Sequence, residues 1–529
     1  MPIHEPARAG PGITGTAPGW MLLAGLVLLV FSPALSAGFV YDSRLQILTD
    51  GFIHDPGNWP SVLSFHVLSR DVLDFNRPVQ LASLMLDAAV WGREPVGYHL
   101  TSVLIHAANA VLVGALATRL LGPTAPRLTG WVAAALFAVH PIVVEAVCEP
   151  TYREDQLALL FSLGAVLLAA RPPRTAAGMD LRRALACAGC CLLAVGSKET
   201  GAAAPALVAA WWLLFRRGEP RGFWGLAVGL GCVAVALFLA ARFTLEPQPS
   251  KIFETRPTYP GGTLAGTLLL QPRILALYAQ LVACPVNLCA DYGAHSIRHL
   301  PLAVSCLLLA GILAAAAWAC LRDRRMVFAC ATVLLPLLPV MNLIPIYRAA
   351  ADRYLYFPMA GVALAAAFLL DAPWLRGRPR AGRAAWVAGV AACAVLTLAT
   401  MQRQRVWHDP VALWQDTARG NPAAFDPAAG LGEALRQTGR LVEAEAATRR
   451  ALLISEGTHG DTWATLALIL DGQGRTADAR EALDKALAVD PRLADPHARV
   501  AVLAMDKATA ADLLELLQRL QPPARTGRP

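Results

Sequence analysis

Charge is what this chain has least of. Only 16% of its 529 residues are Asp, Glu, Lys or Arg, whereas 56% are apolar and the mean hydropathy is +0.47. That scarcity excludes an ordinary soluble enzyme of this length. Cysteine is missing where it would inform: nearly all of the eleven cysteines lie in or beside apolar runs, and the chain beyond Thr400 has none. Neither a disulfide framework nor a zinc knuckle is supported. Cys187, Cys190 and Cys191 imitate a CxxC, but they sit inside an apolar run with no histidine near, which is a packing pattern. The first apolar run has no compelling small-residue cleavage site and further runs follow it, so it is expected to be an anchor that stays. The net charge of +8 is accounted for by short basic loops between apolar runs, which removes the argument for nucleic acid.

What is present is a change of solvent along the chain. A span must reach about 20 residues to cross roughly 30 Å of hydrocarbon while satisfying its own backbone. About eleven runs meet that expectation, at 20–37, 98–120, 131–147, 156–170, 181–196, 202–215, 223–240, 300–320, 326–343, 356–370 and 384–400. Short loops rich in Arg and Lys stay in the cytoplasm. Four such loops are marked by Arg171, Arg174, Arg182 and Arg183, by Arg216, Arg217 and Arg221, by Arg322, Arg324 and Arg325, and by Arg376, Arg378, Arg380 and Arg383. With this count all four fall on one side. The amino terminus is then cytoplasmic, and both the segment 39–97 and everything after Met401 lie outside. The stretch 263–285 is apolar enough to span but contains Gln271, Pro272, Arg273 and Gln280. A crossing there would put two basic loops on the wrong side, so it is expected to lie along the outer surface.

Beyond the last run the chain repeats itself. Leu431, Leu435, Gly439, Arg440, Ala444, Ala451 and Leu452 recur 35 residues later as Leu466, Leu470, Gly474, Arg475, Ala479, Ala486 and Leu487. That is a tetratricopeptide period of 34 with one inserted residue. Small alanines let paired helices approach, Gly-Arg makes the turn, and Asp490-Pro491 stops the second helix. A third, weaker unit runs over 493–520. So few units predict packing onto the membrane domain or onto a partner. Peptide binding and simple capping or dimerisation are both open to such a surface.

An ionisable group at the membrane is costly unless it faces a cavity or partner, which makes each one a site candidate. Asp42 follows the end of the first span. Tyr98-His99, His106 and Asn109 share a helix face, a stripe as suited to interhelical hydrogen bonding as to a site. His140, Glu145, Arg153, Glu154 and Asp155 cluster at the next outer turn, Ser197-Lys198-Glu199 at another, and Arg348, Asp352, Arg353, Tyr354 and Tyr356 at a third. One carboxylate and cations from three loops on one face suit deprotonation of an acceptor beside a phosphate leaving group.

The order Arg77-Pro78, Trp91-Gly92, Tyr98-His99, His106, His140-Pro141 with Glu145 and Arg153, Ser197-Lys198-Glu199, Asp291-Tyr292 and Asp352-Arg353-Tyr354-Leu355-Tyr356, followed by tetratricopeptide repeats, resembles the transmembrane and tetratricopeptide-repeat-containing proteins and their bacterial relatives. They belong to the C-type glycosyltransferase superfamily with the protein O-mannosyltransferases. The resemblance implies inverting transfer of a sugar, typically mannose, from a polyprenyl-phosphate carrier to a protein Ser or Thr hydroxyl outside the cytoplasm. The superfamily's first outer loop carries an acidic pair; here Asp42 matches the base and Ser43 replaces the second acid. Arg353, with Arg153, Lys198 or Arg348, is implied to bind the donor phosphate. Arg77, His99, His140, Glu145, Glu199, Tyr354 and Tyr356 are implied to shape the pocket. Metal binding is a second role open to His99, His140 and Glu145, but their spacing is not that of a dedicated metal site, so no metal is assigned and a divalent ion, though open, is not indicated.

The expected architecture is therefore all-α. It comprises a cytoplasmic tail at 1–19, a polytopic domain at 20–402 with its outer loop at 39–97, a linker at 403–423, repeats at 424–520 and a disordered end at 521–529. Its Ala, Arg, Gly and Pro bias points to a bacterial inner membrane, with the endoplasmic reticulum as the alternative. The polyprenyl-phosphate lipid and an acceptor polypeptide are the expected partners. A catalytically silent scaffold that recruits partners through its repeats is the competing function, and a transferase acting on lipid or polysaccharide a third.

Overall fold

The computed structural model describes residues 17–122, 129–171, 180–246, 258–293, 297–497 and 506–520. Arg174, most of the expected cytoplasmic tail, part of the third repeat unit and the end at 521–529 lie outside these residues. Among the described residues all regular structure is helical, with no strand.

The membrane bundle is built from α1 (Ala17–Val30), α2 (Pro78–Trp91), α3 (Pro95–Leu121), α4 (Thr129–Val139), α5 (Val144–Cys148), α6 (Arg153–Ala169), α7 (Leu181–Ser197), α8 (Ala204–Phe215), α9 (Arg221–Leu245), α10 (Leu264–Ala283), α11 (Leu302–Arg322), α12 (Arg324–Leu337), α13 (Tyr356–Leu370) and α14 (Pro379–Gln404). Prolines open α2, α3 and α14, where the missing N–H is one that no helix could use. Five segments are each long and apolar enough to cross a membrane, namely α3, α9, α11, Asp352–Arg376 and Pro379–Trp407. The pair α4 and α5, bent by 50° at His140-Pro141, makes a sixth if counted as one span. The protein is multi-pass. Other expected spans are shorter helices, such as α6, whose first turn is Arg153-Glu154-Asp155.

The two ends of the bundle differ in chemistry. At one end the basic loops tie neighbouring helices together. Arg119 donates to Ala170 O, Arg183 to Arg171 O at 2.9 Å, and Arg324 to Leu214 O at 3.1 Å. Buried Asp371 is shared there by Arg325 and Arg376. All four basic loops thus reach the same end. The opposite end carries Asp42, Tyr152, Lys198, Asp291 and Arg353. Along its length α10 meets that second end: Gln271 donates to Met341 O, Tyr278 Oη accepts from the Ala351 N–H, and Val282 O contacts His140 Nε2 at 3.0 Å. The segment after α1, including α2, folds around its own core of Phe39, Ile47, Phe52, Ile53, Val67, Leu84 and Met85. Each such side chain contributes about 1.5–3 kcal/mol on burial.

After the bundle come α15 (Pro410–Gly420), then the antiparallel pairs α16 (Phe425–Gln437) with α17 (Leu441–Ile454) and α18 (Gly460–Gly472) with α19 (Thr476–Val489), and finally α20 (Lys507–Leu520). The two pairs repeat their chemistry. Gly439 and Gly474 take φ +76° and +78°, a region open to glycine, and the next N–H donates back to Leu435 O at 3.0 Å or to Leu470 O at 2.9 Å. Ala444, Ala451, Ala479 and Ala486 are fully buried where the helices meet. The expected linker at 403–423 is instead ordered structure: Trp407 is fully buried, Arg403 pairs with Asp416 at 2.5 Å, and α15 packs on α16.

Candidate active site

α1 ends at Val30, a tight turn spans Ser32–Ser36, and extended backbone then delivers Tyr41-Asp42-Ser43 to the site end. Asp42 is exposed, and its Oδ2 accepts a 2.8 Å hydrogen bond from the Tyr152 hydroxyl. The Arg353 guanidinium lies 4.0 Å over the Tyr152 ring. Glu145 pins that arginine twice, through Oε1 to Nη1 at 2.5 Å and Oε2 to the backbone N–H at 2.9 Å. The expected base and the foremost expected cation therefore meet on one aromatic ring.

Ser43 is buried beside a residue that sequence reasoning missed. Its Oγ lies 3.2 Å from Glu149 Oε2 and donates to Val40 O at 2.5 Å. Glu149 is fully buried in the turn between spans, and its Oε1 accepts from the Thr151 hydroxyl at 2.8 Å. Burial, then the charge of Asp42, pushes the Glu149 carboxyl well above the ordinary glutamate range. An acid thus stands beside position 43 in space, supplied from 106 residues further along the chain. The signal available was Glu149-Pro150, an acid before the proline of a turn at this end.

Two of the implied phosphate cations are buried and already paired within the protein. Arg153 is fully buried: it pairs with Asp87 at 2.6 Å and donates to Ser83 Oγ, Tyr98 O and Ser102 Oγ, so its fork is filled by the protein. Lys198 is 2% exposed, between Asp155 at 2.5 Å and Glu154 at 3.0 Å. Burial would lower its ammonium pKa, but these carboxylates outweigh burial and hold it above the ordinary lysine value. Arg77 belongs to the same cluster, bonded to Glu154 at 2.6 Å and Asp74 at 2.8 Å, and Glu199 pairs with Arg242 at 2.7 Å. Four carboxylates there face three cations, which disfavours a phosphate.

Several residues implied to shape a pocket are buried ties. Tyr356 Oη contacts His106 Nδ1 at 2.8 Å and accepts from Asn109 Nδ2 at 3.1 Å, which makes the polar stripe on α3 an interhelical bond. His140 anchors α10 through Val282 O. His99 is fully buried, stacked on Phe39. The Tyr354 ring contacts the Arg353 guanidinium at 5.2 Å.

Arg348 stays at the surface of the site. Its Nη1 pairs with Asp291 at 2.9 Å and Asp426 at 3.1 Å, and its Nη2 donates to Tyr41 Oη at 2.9 Å. Beside it lies a cavity of about 250 Å³ lined by Leu270, Tyr292, Ile297, Arg298, Ile346 and Arg348, among others. Exposed Arg298 was not singled out from sequence. Neither Asp42 nor Arg353 lines this cavity.

No protein-family model matches the chain. Among curated proteins, a protein O-mannosyl-transferase of Caenorhabditis elegans is 23% identical over 390 residues, 69% of this chain and 53% of that protein. Protein O-mannosyl-transferase Tmtc3 of Drosophila melanogaster is 24% identical over 505 residues, 80% of this chain and 53% of that protein. The chain spans about half the length of these relatives. They are of the kind that the ordered motifs and repeat tail resemble. Among solved structures, ArnT of Cupriavidus metallidurans bound to undecaprenyl phosphate matches with a TM-score of 0.42 and 14% identity, over 95% of this chain and 79% of that one.

Proposed function

We propose that this protein is a membrane glycosyltransferase moving a sugar, mannose first, from a polyprenyl-phosphate donor to a Ser or Thr hydroxyl of a polypeptide. The observation that carries the reading is the exposed Asp42 carboxylate, held by Tyr152 with Arg353 on the other side of that ring. The similarity to O-mannosyl-transferases supports the choice of sugar and acceptor. Asp42 takes the acceptor proton while the hydroxyl oxygen forms a bond to the anomeric carbon. The bond from that carbon to the phosphate oxygen breaks, its electron pair leaves with the polyprenyl phosphate, and the configuration inverts.

The phosphate is assigned to Arg298 and Arg348 at the cavity, with Arg353 as a fixed positive charge over the Tyr152 ring that holds the base. At about 250 Å³ the cavity is below the roughly 300–1,000 Å³ of drug-sized pockets, so it suits a phosphate head and the first prenyl unit. Exposed Leu264, Leu268 and Leu269 of α10 carry the apolar surface onward for the rest of the lipid. In this reading there are about eleven spans, the basic end faces the cytoplasm of a bacterium, and the site and tetratricopeptide repeats face outward. The scaffold reading has one observation in its favour, that Asp42 and Arg353 do not line the cavity.

Transfer of radiolabelled sugar from polyprenyl-phosphate donors to endogenous acceptors in membranes separates the readings. Native transfer that Asp42→Asn lowers by about a thousandfold, in the range of general-base loss, is expected. Absence of native transfer across mannose and other donors establishes the scaffold. Label recovered in the lipid or polysaccharide fraction rather than in protein reassigns the acceptor.

A further inference from the structure

The part of the chain that follows the membrane bundle grips the loop carrying Asp42. The Gly38 N–H donates to His408 O at 3.1 Å. The Tyr41 ring lies 5.3 Å from Trp414 of α15 and 6.4 Å from the buried Trp407. Arg44 Nη2 donates to Gln437 Oε1 at the end of α16 at 2.6 Å. Arg348 bridges Tyr41 Oη to Asp426 on the first turn of α16. Residues 38, 41 and 44 are each held from the tail, and Asp42 stands among them.

Tyr41 also has φ +51°, a left-handed conformation for an aromatic residue. Such a backbone costs on the order of 1–3 kcal/mol and persists only where its surroundings over-determine it. Here they do so by one hydrogen bond and three aromatic neighbours, Trp407, Trp414 and Tyr152. Tyr152 is in turn the donor to Asp42. A tail that merely carried a peptide-binding surface on a flexible tether needs none of these contacts.

We infer that the tail is docked on the catalytic loop and that Tyr41 and Trp414 are positioning residues through which it holds Asp42 in place. The inference rests on the glycosyltransferase reading and adds that the repeats are part of the reaction site as well as a recruiting arm. Aim at the reacting hydroxyl tolerates little error, since a displacement of about 1 Å can cost a hundredfold in rate.

The test uses the full chain in membranes, with a mannosyl polyprenyl phosphate as donor and two acceptors, a folded protein and a short synthetic Ser/Thr peptide. Trp414→Ala is expected to lower kcat for the short peptide by at least about tenfold with KM for the donor unchanged. Trp414→Phe, which keeps a ring against Tyr41, is expected to recover most of that rate. Tyr41→Phe removes only the hydroxyl facing Arg348 and is expected to show a smaller loss, which serves if Trp414→Ala fails to accumulate.

A tail that only recruits acceptors gives a raised KM for the protein acceptor and native rates on the peptide; that result overturns the inference. A bis-maleimide bridging Arg44→Cys and Gln437→Cys, mapped by mass spectrometry, reads docking without activity, and its failure to form overturns the docked geometry. If the native chain transfers no sugar at all, the function reading fails and the positioning role with it, while the crosslink still decides whether the tail is docked.

Discussion

The Ser43 hydroxyl can donate to either of two acceptors, Val40 O at 2.5 Å or Glu149 Oε2 at 3.2 Å. Glu149 is fully buried, and burial, then the charge of Asp42, pushes its carboxyl well above the ordinary glutamate range. Above the ordinary glutamate pKa of about 4.3, the folded chain keeps a proton that the unfolded chain has lost. Stability then falls as pH rises toward the raised value. Melting in detergent at stepped pH should show native Tm declining through this window and Glu149→Gln remaining flat; parallel curves for the two chains would remove the neutral Glu149. The same site makes restoration of the acidic pair harmful. Ser43→Asp puts a second carboxyl into a fully buried position against Glu149 and should cost about 3 kcal/mol of stability. An unchanged Tm for that variant would contradict the packing described.

At the level of helices, association in a membrane depends on close backbone approach and interhelical hydrogen bonds, because lipid leaves no hydrophobic difference to exploit. Both devices converge on α13. Tyr356 at its start joins His106 and Asn109 of α3, and Gly361 one turn later lies where an added Cβ would come within 2.6 Å of Ala329 O on α12. Gly389, within α14, has open space around it. The two glycines should therefore respond in opposite directions to the same change. Gly361→Ala forces α12 and α13 apart and should destabilise by about 1–3 kcal/mol, whereas Gly389→Ala should be neutral or stabilise by up to about 1 kcal/mol through helix propensity. Equal Tm shifts for the pair would mean that α12 and α13 do not pack as closely as described.

Across the whole molecule, local signals were legible and distant partnerships were not. Apolar runs, basic loops and the repeat of Gly439-Arg440 at Gly474-Arg475 depend on neighbours in sequence, so they marked the helices, the basic end and the turns of the tail. Asp42 could be singled out as a candidate because it follows the first span. The pairing of Arg153 was not legible because its donors are filled by Ser83, Asp87, Tyr98 and Ser102, each more than fifty residues earlier in the chain. Glu149 reaches Ser43 across 106 residues, and no local pattern records that contact. Residues 403–423 read as a linker because a short amphipathic helix such as α15 shows its packed face only when its partners are known.

The proposed orientation puts the end where the basic loops converge in the cytoplasm, since positive short loops resist translocation. A membrane-impermeant maleimide applied to intact cells tests this directly in a background lacking the exposed Cys232, Cys284 and Cys306. Thr458→Cys between the two repeat pairs should label from outside, and Arg378→Cys before α14 should label only after the cells are opened. Labelling of Arg378→Cys in intact cells would invert the protein, put Asp42 and the docked tail in the cytoplasm, and rule out an acceptor site on the outer face.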